Sequence, residues 1–234
     1  MMNTIKIISW NILHIIHEHN YVGEESLVIS EFPEESVRMQ KILDKINVEF
    51  NSEEQVIINL QEVPGDYLDK LKEIFSDNIY VYTYSRLATL KKNIKCPYNN
   101  MTESLVTIVK TNNKLVKQSF YDFDKGKSAL ILQFDNFTLY NVHLPFQYNN
   151  TMDTDEHSII VGDFNCSADN AEKVFTGTNK CENNKNTFIT RREGNVKTDT
   201  LDHFLSKNLN FSNPLHVEET KLSDHFIVSA YMYQ

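Results

Sequence analysis

Glycine and proline are scarce, with 6 and 5 copies in 234 residues, too few for a long flexible linker or a low-complexity tail. The 3 cysteines (Cys96, Cys166 and Cys181) are odd in number and form no CxxC pair, which argues against a disulfide framework and for a reducing setting. No run approaches the roughly 20 apolar residues that span a bilayer. The apolar start is interrupted by Lys6, and no small-residue cleavage site follows it. The expected location is therefore intracellular, with cytoplasm and nucleus both open, and no stable membrane association is expected. Triplets such as Asn136-Phe137-Thr138 are then chance matches to the glycosylation pattern. No fixed-period repeat is visible. A hydrophobic share of 41% beside 24% charged residues suits a globular chain. One domain over residues 1–234 and a monomeric state are the expectations.

The formal net charge of -9 argues against general electrostatic capture of nucleic acid. The charge is uneven, however. Residues 1–80 carry 15 acids and 6 bases, whereas residues 91–127 carry 8 lysines and 3 acids. Lys91 and Lys92 belong to this basic stretch, and Arg191, Arg192 and Lys197 form a second one. These are either solvated loops or the rim of a phosphate path.

Ile5–Trp10 and Val56–Leu60 read as buried strands, and 79–84, 103–109, 128–134, 137–142, 158–161, 201–205 and 226–232 as further strands. Asp135-Asn136 suits a hairpin turn. Pro33-Glu34-Glu35-Ser36 opens an amphipathic helix with Val37, Ile42, Leu43 and Ile46 on its apolar face. A second helix over 66–75 presents Leu68, Leu71 and Ile74 to a sheet. Few helices and many strands predict an α/β fold of sheets covered by helices.

One arrangement recurs. Apolar runs stop at a carboxylate, carboxamide or imidazole: Ser9-Trp10-Asn11, Leu60-Gln61-Glu62, Asn141-Val142-His143 and Gly162-Asp163-Phe164-Asn165. Ser223-Asp224-His225 lies just before the last run. Strand ends hold side chains accurately, and a buried acid costs several kcal/mol unless it is paired or bound to metal. Taken singly, Asn11, Asp163, Asn165 and Asp224 have an alternative as turn residues. Glu62 alone is open to a reading as an exposed loop acid, and His143 as a satisfied structural histidine.

The ordered set SWN at 9–11, LQEV at 60–63, NVHL at 141–144, GDFN at 162–165, LDHF at 201–204 and SDH at 223–225 resembles the endonuclease/exonuclease/phosphatase superfamily over nearly the whole chain. The resemblance implies a four-layer αββα sandwich with two mostly antiparallel central sheets and an active site at one end. It implies Glu62 as the main metal ligand, Asp224 in the metal and water network, and Asn11 positioning metal or phosphate. Asp163 and Asn165 would orient water and contact the phosphate. Asp202 would hold His225 beside the scissile group, and His143 would bind phosphate or protonate the leaving group. Oxygen ligands of this kind suit Mg²⁺, with Mn²⁺ as an alternative.

A zinc site is disfavoured, because His14, His17 and His19 lack a cysteine pair and an HExxH pattern and read as surface histidines. Only 20 positions separate His143 from Asp163, where relatives place a longer segment, so an open substrate face is expected. Phe146 and Tyr148 follow His143 closely enough to touch a base or sugar. The expected partner is DNA or RNA, and the expected activity a metal-dependent nuclease or end-processing phosphodiesterase. Alternatives are a phosphoinositide or sphingomyelin phosphohydrolase and a noncatalytic nucleic-acid-binding protein.

Overall fold

The computed structural model describes residues 4–89 and 101–233. The first half comprises β1 (Thr4–Asn11), α1 (Ile15–Tyr21), α2 (Leu27–Glu31), α3 (Glu35–Ser52), β2 (Val56–Pro64), α4 (Gly65–Phe75), β3 (Ile79–Thr83), β4 (Glu103–Lys110) and β5 (Leu115–Asp122). There follow β6 (Ser128–Phe134), β7 (Thr138–His143), β8 (Met152–Asp153), β9 (Ser158–Asp163), α5 (Ala168–Val174), β10 (Phe175–Thr176) and β11 (Asn179–Lys180). The chain ends with β12 (Phe188–Arg192), β13 (Asn195–Asp199), β14 (Asp202–Lys207), β15 (Asn210–Phe211), β16 (His216–Glu218) and β17 (Ile227–Tyr233).

Two sheets form the centre. One has the order β15-β17-β1-β2-β4-β3, with β16 also on β17, and the other β11-β14-β9-β7-β6-β5. Pairing is antiparallel within both, except for β1 with β2 and β7 with β9. Strand alternation assigns the faces. Ile5, Ile7, Ile57, Leu139, Ile159 and Val161 pack between the sheets. Ile8, Trp10, Ile58 and Leu60 point the other way, onto Met39, Ile42, Leu43 and Ile46 of α3 and Leu68 and Leu71 of α4. Tyr140, Val142 and Ile160 meet Ala171 and Val174 of α5 on the far side. The result is four layers, α/β/β/α. Each fully buried aliphatic side chain here contributes roughly 1.5–3 kcal/mol, so a charge at Ile42, which has no exposed surface, would unseat α3.

Both helical stripes sit slightly off the expected positions. Val37 is 44% exposed and Ile74 47% exposed. Helix α3 buries Arg38 and Met39 in its first turns instead of Val37, and α4 turns Phe75 inward in place of Ile74. The β5 strand and the β12–β13 hairpin were not expected. Both are largely exposed, so they lack the apolar run that marks a buried strand. Residues 144–157 hold no helix, in keeping with the short connection expected there. Among the described residues, no helix is long and apolar enough to cross a membrane.

On the faces between the sheets, each central strand turns polar toward the same end. The inward series run Ile5, Ile7, Ser9, Asn11 in β1, Ile57, Asn59, Gln61 in β2, Leu139, Asn141, His143 in β7 and Ile159, Val161, Asp163 in β9. The buried amides are paired across the gap. Gln61 donates to Asn141 Oδ1 at 2.8 Å, and Asn141 donates to the Val106 carbonyl at 3.0 Å. Gly162 makes the tightest backbone approach at this end, with φ of +145° and an added Cβ only 1.9 Å from the Val142 carbonyl oxygen. Gly162→Ala is expected to destabilise the fold by on the order of 3 kcal/mol. A melting temperature within a degree or two of wild type would contradict this packing.

Candidate active site

The parallel pair β7 and β9 places His143 opposite Asp163, and the antiparallel pair β9 and β14 places Asp202 opposite Asp163. Strands β1 and β2 bring Asn11 level with Gln61. Glu62 follows Gln61, and strand alternation alone would turn it outward toward the helices. It does not lie there. Between Leu60 and Val63 the β2–β4 register slips by one residue, and Glu62 adopts φ of +57°. This bulge re-aims the carboxylate into the end of the sandwich.

A continuous series of contacts then joins the expected residues. His143 Nε2 lies 3.7 Å from Glu62 Oε1 and 3.5 Å from Asp163 Oδ2. His225 Nε2 lies 3.6 Å from Asp163 Oδ2, while its Nδ1 meets Asp202 Oδ2 at 2.8 Å. Asn11 Nδ2 donates to Asp163 Oδ2 at 3.1 Å and its Oδ1 accepts from the Leu13 amide at 3.0 Å, so both ends of Asn11 are engaged within the protein. The Asn165 backbone N–H donates to Asp163 Oδ1 at 2.9 Å, and its side-chain Nδ2 donates to the Leu144 carbonyl. Asn165 holds φ of +50°, which turns its amide back onto Asp163.

Asp224 sits beside this series. It faces His225, Glu18, Glu62 and Asp163 electrostatically, and lines a cavity of about 550 Å³ with Arg191, Ile189, Ser223 and Phe226. Arg191 is exposed on β12. Phe146 is 65% exposed, on the loop where Lys125 Nζ donates to its carbonyl. Lys91 and Lys92 lie outside the described residues.

Four further residues enter the site without having been expected. Glu103 is the first residue of β4 and is 3% exposed. Lys127 precedes β6, and its Nζ reaches Glu62 Oε1 at 3.4 Å and His143 Nδ1 at 3.2 Å. Tyr84 OH lies 2.9 Å from the same His143 nitrogen. His17, on α1, meets Glu103 Oε1 at 3.0 Å and Glu62 Oε2 at 3.8 Å. The surface reading of the histidines is corrected at two of them. His14 is fully buried and caps α1, accepting from the Ile16 amide through Nδ1, and His17 is half-buried among carboxylates. Their helix was missed because α1 is only 7 residues long, shorter than two helical periods.

The fully buried Arg38 ties two loops of the site together. It donates to Glu35, to the carbonyls of Ile12 and Leu13, which follow Asn11, and to the carbonyl of Leu222, which precedes the Ser223-Asp224-His225 segment. Ser223 Oγ donates to the Asn11 carbonyl at 2.7 Å.

Protonation follows from these partners. An ammonium can only donate, so His143 Nδ1 accepts from Lys127, and the neutral ring presents Nε2–H to Glu62 and Asp163. Burial and Lys127 together hold the His143 pKa well below the ordinary imidazole value. Burial disfavours the charged form of His225, but Asp202 and Asp163 outweigh it and keep the ring protonated well above the ordinary range. Burial lifts the Asp163 carboxyl to about 6, with His225 opposing and Asp202 adding to the rise. Burial likewise lifts Asp224 to about 7 against His225. Glu62 and Glu103 behave oppositely. Burial pushes both up, yet His17 and Lys127 bring each down to about 2.

Among the described residues, two groups are positioned to coordinate a metal ion: His17 with Glu62 and Glu103, and Asp163 with Asp202 and His225. Asp224 belongs to neither. The donor chemistry of the first group fits a divalent cation, with two buried carboxylates converging with one imidazole nitrogen. In the second group His225 Nδ1 is already taken by Asp202, which suits proton handling better.

A two-sheet sandwich whose polar end gathers carboxylates positioned to coordinate a metal ion beside an aspartate–histidine pair is the arrangement of a phosphoesterase class. Within it, residues 8–225 match the sequence profile of the Endonuclease/Exonuclease/phosphatase family, and the chain belongs to that family. No curated protein matches the chain by sequence. Among solved structures, it is similar to TDP2 from C. elegans, at 14% identity and a TM-score of 0.63, over 99% of this chain and 75% of that one. D. rerio TDP2 complexed with single-strand DNA product aligns at 12% identity and a TM-score of 0.61, over 99% and 100% of the two chains. ANGEL2, described as a 2',3'-cyclic phosphatase, aligns at 11% identity and a TM-score of 0.65, over 99% and 95%. These likenesses show the fold.

His17 supplies a pH test. Burial lowers its pKa, but Glu62 and Glu103 raise it to about 9, from 6.5. A raised folded-state pKa contributes stability that is complete below about 6.5 and is lost as pH rises through about 9. In EDTA-treated protein the melting temperature is expected to fall over that window, and less steeply in His17→Gln. An identical slope in the two proteins would contradict the pairing.

Proposed function

We propose that the chain is a metal-dependent phosphodiesterase acting on nucleic acid, as a nuclease or end-processing enzyme, with Mg²⁺ or Mn²⁺ as its ion. The observation that carries this reading is Asp163, buried and held from both oxygens by Asn11 and Asn165 while facing His143 and His225. An aspartate held in this way is suited to aligning a water against phosphorus. A pKa raised to about 6 leaves the carboxylate ionised at neutral pH and still basic enough to take a proton from that water.

The other residues divide the remaining work. His225, kept protonated by Asp202, stabilises negative charge growing on the phosphoryl oxygens. His143 offers a neutral Nε2–H to an anionic oxygen, which suits phosphate binding rather than protonation of the leaving group. Asn165 has a second amide proton for the phosphate. Glu62 and Glu103, with His17, would hold the ion, which when bound supplies a positive charge for the leaving oxygen. Lys127 adds fixed positive charge at the same place. Arg191 and the cavity beside Asp224 would guide the chain of the substrate, with Phe146 as an exposed surface for a base.

Support for a nucleic-acid substrate comes from the relatives, since one shares this fold while holding a single-strand DNA product and another is described as acting on a 2',3'-cyclic phosphate. A single catalytic domain, a monomeric state and an intracellular location complete the reading.

A hydrolysis panel in Mg²⁺, Mn²⁺ and EDTA tests it, using plasmid, abasic duplex, 5'-tyrosyl DNA, poly(A), a 2',3'-cyclic phosphate end, a phosphoinositide and sphingomyelin. Metal-dependent cleavage of a nucleic acid is expected, and Asp163→Asn and His225→Ala should each lower kcat/KM by about 10²–10⁴-fold. Turnover of lipid alone would reject the substrate class. Undiminished turnover in both variants would reject the residue assignment.

A further inference from the structure

We infer that His17 is an inner-sphere ligand of the divalent ion, and that its nitrogen gives this site a preference for a first-row transition ion such as Mn²⁺ over Mg²⁺. The inference rests on the metal-dependent reading above and deepens it by assigning the ligand atoms and the ion they select. Its ground is the geometry of one group. The ligand atoms of His17, Glu62 and Glu103 all lie within 4.8 Å of one another, the span of donors that share one ion. Lys127 meets Glu62 at Oε1, and His17 faces the other oxygen, Oε2. The lysine and the ion therefore approach Glu62 from different sides.

The imidazole is held in place from two directions. Its helix is fastened to Glu62, because the His14 backbone N–H, at the start of α1, donates to Glu62 Oε2 at 3.3 Å. Its ring stacks on Tyr21, with centroids 6.4 Å apart and planes at 25°, and meets His14 edge-on at 6.0 Å. The carboxylates are equally fixed: the bulge aims Glu62, and the β2–β4 pairing of Pro64 with Glu103 brings the second acid beside it.

The chemistry of the donors then sets the ion. Mg²⁺ is bound through oxygen, keeps several waters and sheds them reluctantly. Imidazole nitrogen raises affinity for transition ions, and a set of two carboxylates with one imidazole accepts Mn²⁺ at both donor types. In the second group two aspartates surround an imidazole whose Nδ1 is committed to Asp202, an arrangement that suits proton handling. Both oxygens of Asp163 already accept from Asn165 and Asn11, and His225 Nδ1 is engaged by Asp202. The one ion inferred therefore lies on the His17 side, where the ligand nitrogen and two carboxylates converge.

The test reads the ion directly. EDTA-stripped protein is titrated with Mn²⁺ and followed by electron paramagnetic resonance, with Mg²⁺ as competitor, and pulsed spectra are searched for ¹⁴N modulation. One Mn²⁺ per chain is expected, displaced only by Mg²⁺ at ten-fold or greater excess over the Mn²⁺ concentration, with an imidazole ¹⁴N signal. His17→Asp, which swaps nitrogen for oxygen, should still bind Mn²⁺, lose the ¹⁴N signal and reduce the excess of Mg²⁺ needed. His17→Gln is a second variant in case the first does not fold, and His19→Gln should leave the spectrum unchanged. Bound Mn²⁺ without ¹⁴N modulation, modulation that survives replacement of His17, or displacement by equal Mg²⁺ would overturn the inference while leaving the metal-dependent reading intact. Failure of any divalent ion to bind would overturn both.

Discussion

Burial of several carboxylates at one end of a two-sheet sandwich is the constraint on which the site depends. An unpaired buried charge costs several kcal/mol, so each acid requires its own counter-charge or donor. The structure grades this burial along the inter-sheet gap. Apolar residues fill it at one end, the paired amides Gln61 and Asn141 bridge it in the middle, and ionisable groups occupy the other end. The amides matter because they let polarity enter the gap gradually. Gln61 bonds to Asn141 across the sheets, and Asn141 donates to the Leu60 and Val106 carbonyls opposite, which ties the two sheets together just where Asn11, Gln61, His143 and Asp163 line up.

The ionisable end is electrostatically divided. On one side, in the metal-free protein, two glutamates face two cations, Lys127 and His17, and both glutamates stay ionised far below neutral pH. On the other side Asp163, Asp202 and Asp224 crowd around His225, and the Asp163 and Asp224 carboxyls are pushed toward neutrality. The first side is suited to holding fixed charge, the second to exchanging a proton. His143 lies on the boundary, within 4 Å of an acid from each side, and its neutrality prevents it from cancelling either.

Much of this was legible in the sequence. Apolar runs that end in a polar residue mark strands whose inward series reaches the site, and Asn11, His143 and Asp163 were found in that way. Glu103 and Lys127 were missed for one physical reason. In an antiparallel neighbour, the site end of a strand is its beginning, so Glu103 and Lys127 precede apolar runs instead of closing them. Glu62 was found for a reason only partly right. Alternation would have turned it away from the gap, and the one-residue bulge that rescues it has no clear mark in Leu60-Gln61-Glu62-Val63. Tyr84 lies just past the end of β3 and reaches His143 across the gap, a long-range contact that no local pattern encodes.

Helix α1 shows why the histidines were misjudged. Alone it is short, and its polar residues Glu18, His19 and Asn20 look solvated. Its position is set from outside. Arg38, on α3, binds the carbonyls of Ile12 and Leu13 just before α1 begins, and also that of Leu222 beside the Asp224-His225 segment. A guanidinium with its donors so distributed joins the loop that leads to His17 with the loop that carries His225, and those loops serve opposite sides of the site. The distance between the charge-holding side and the proton-exchanging side is thereby referred to one rigid, buried side chain on a packed helix. Loops alone would let that distance drift, and the proposed in-line displacement at phosphorus would tolerate little error between Asp163 on one side and Glu62 and Glu103 on the other.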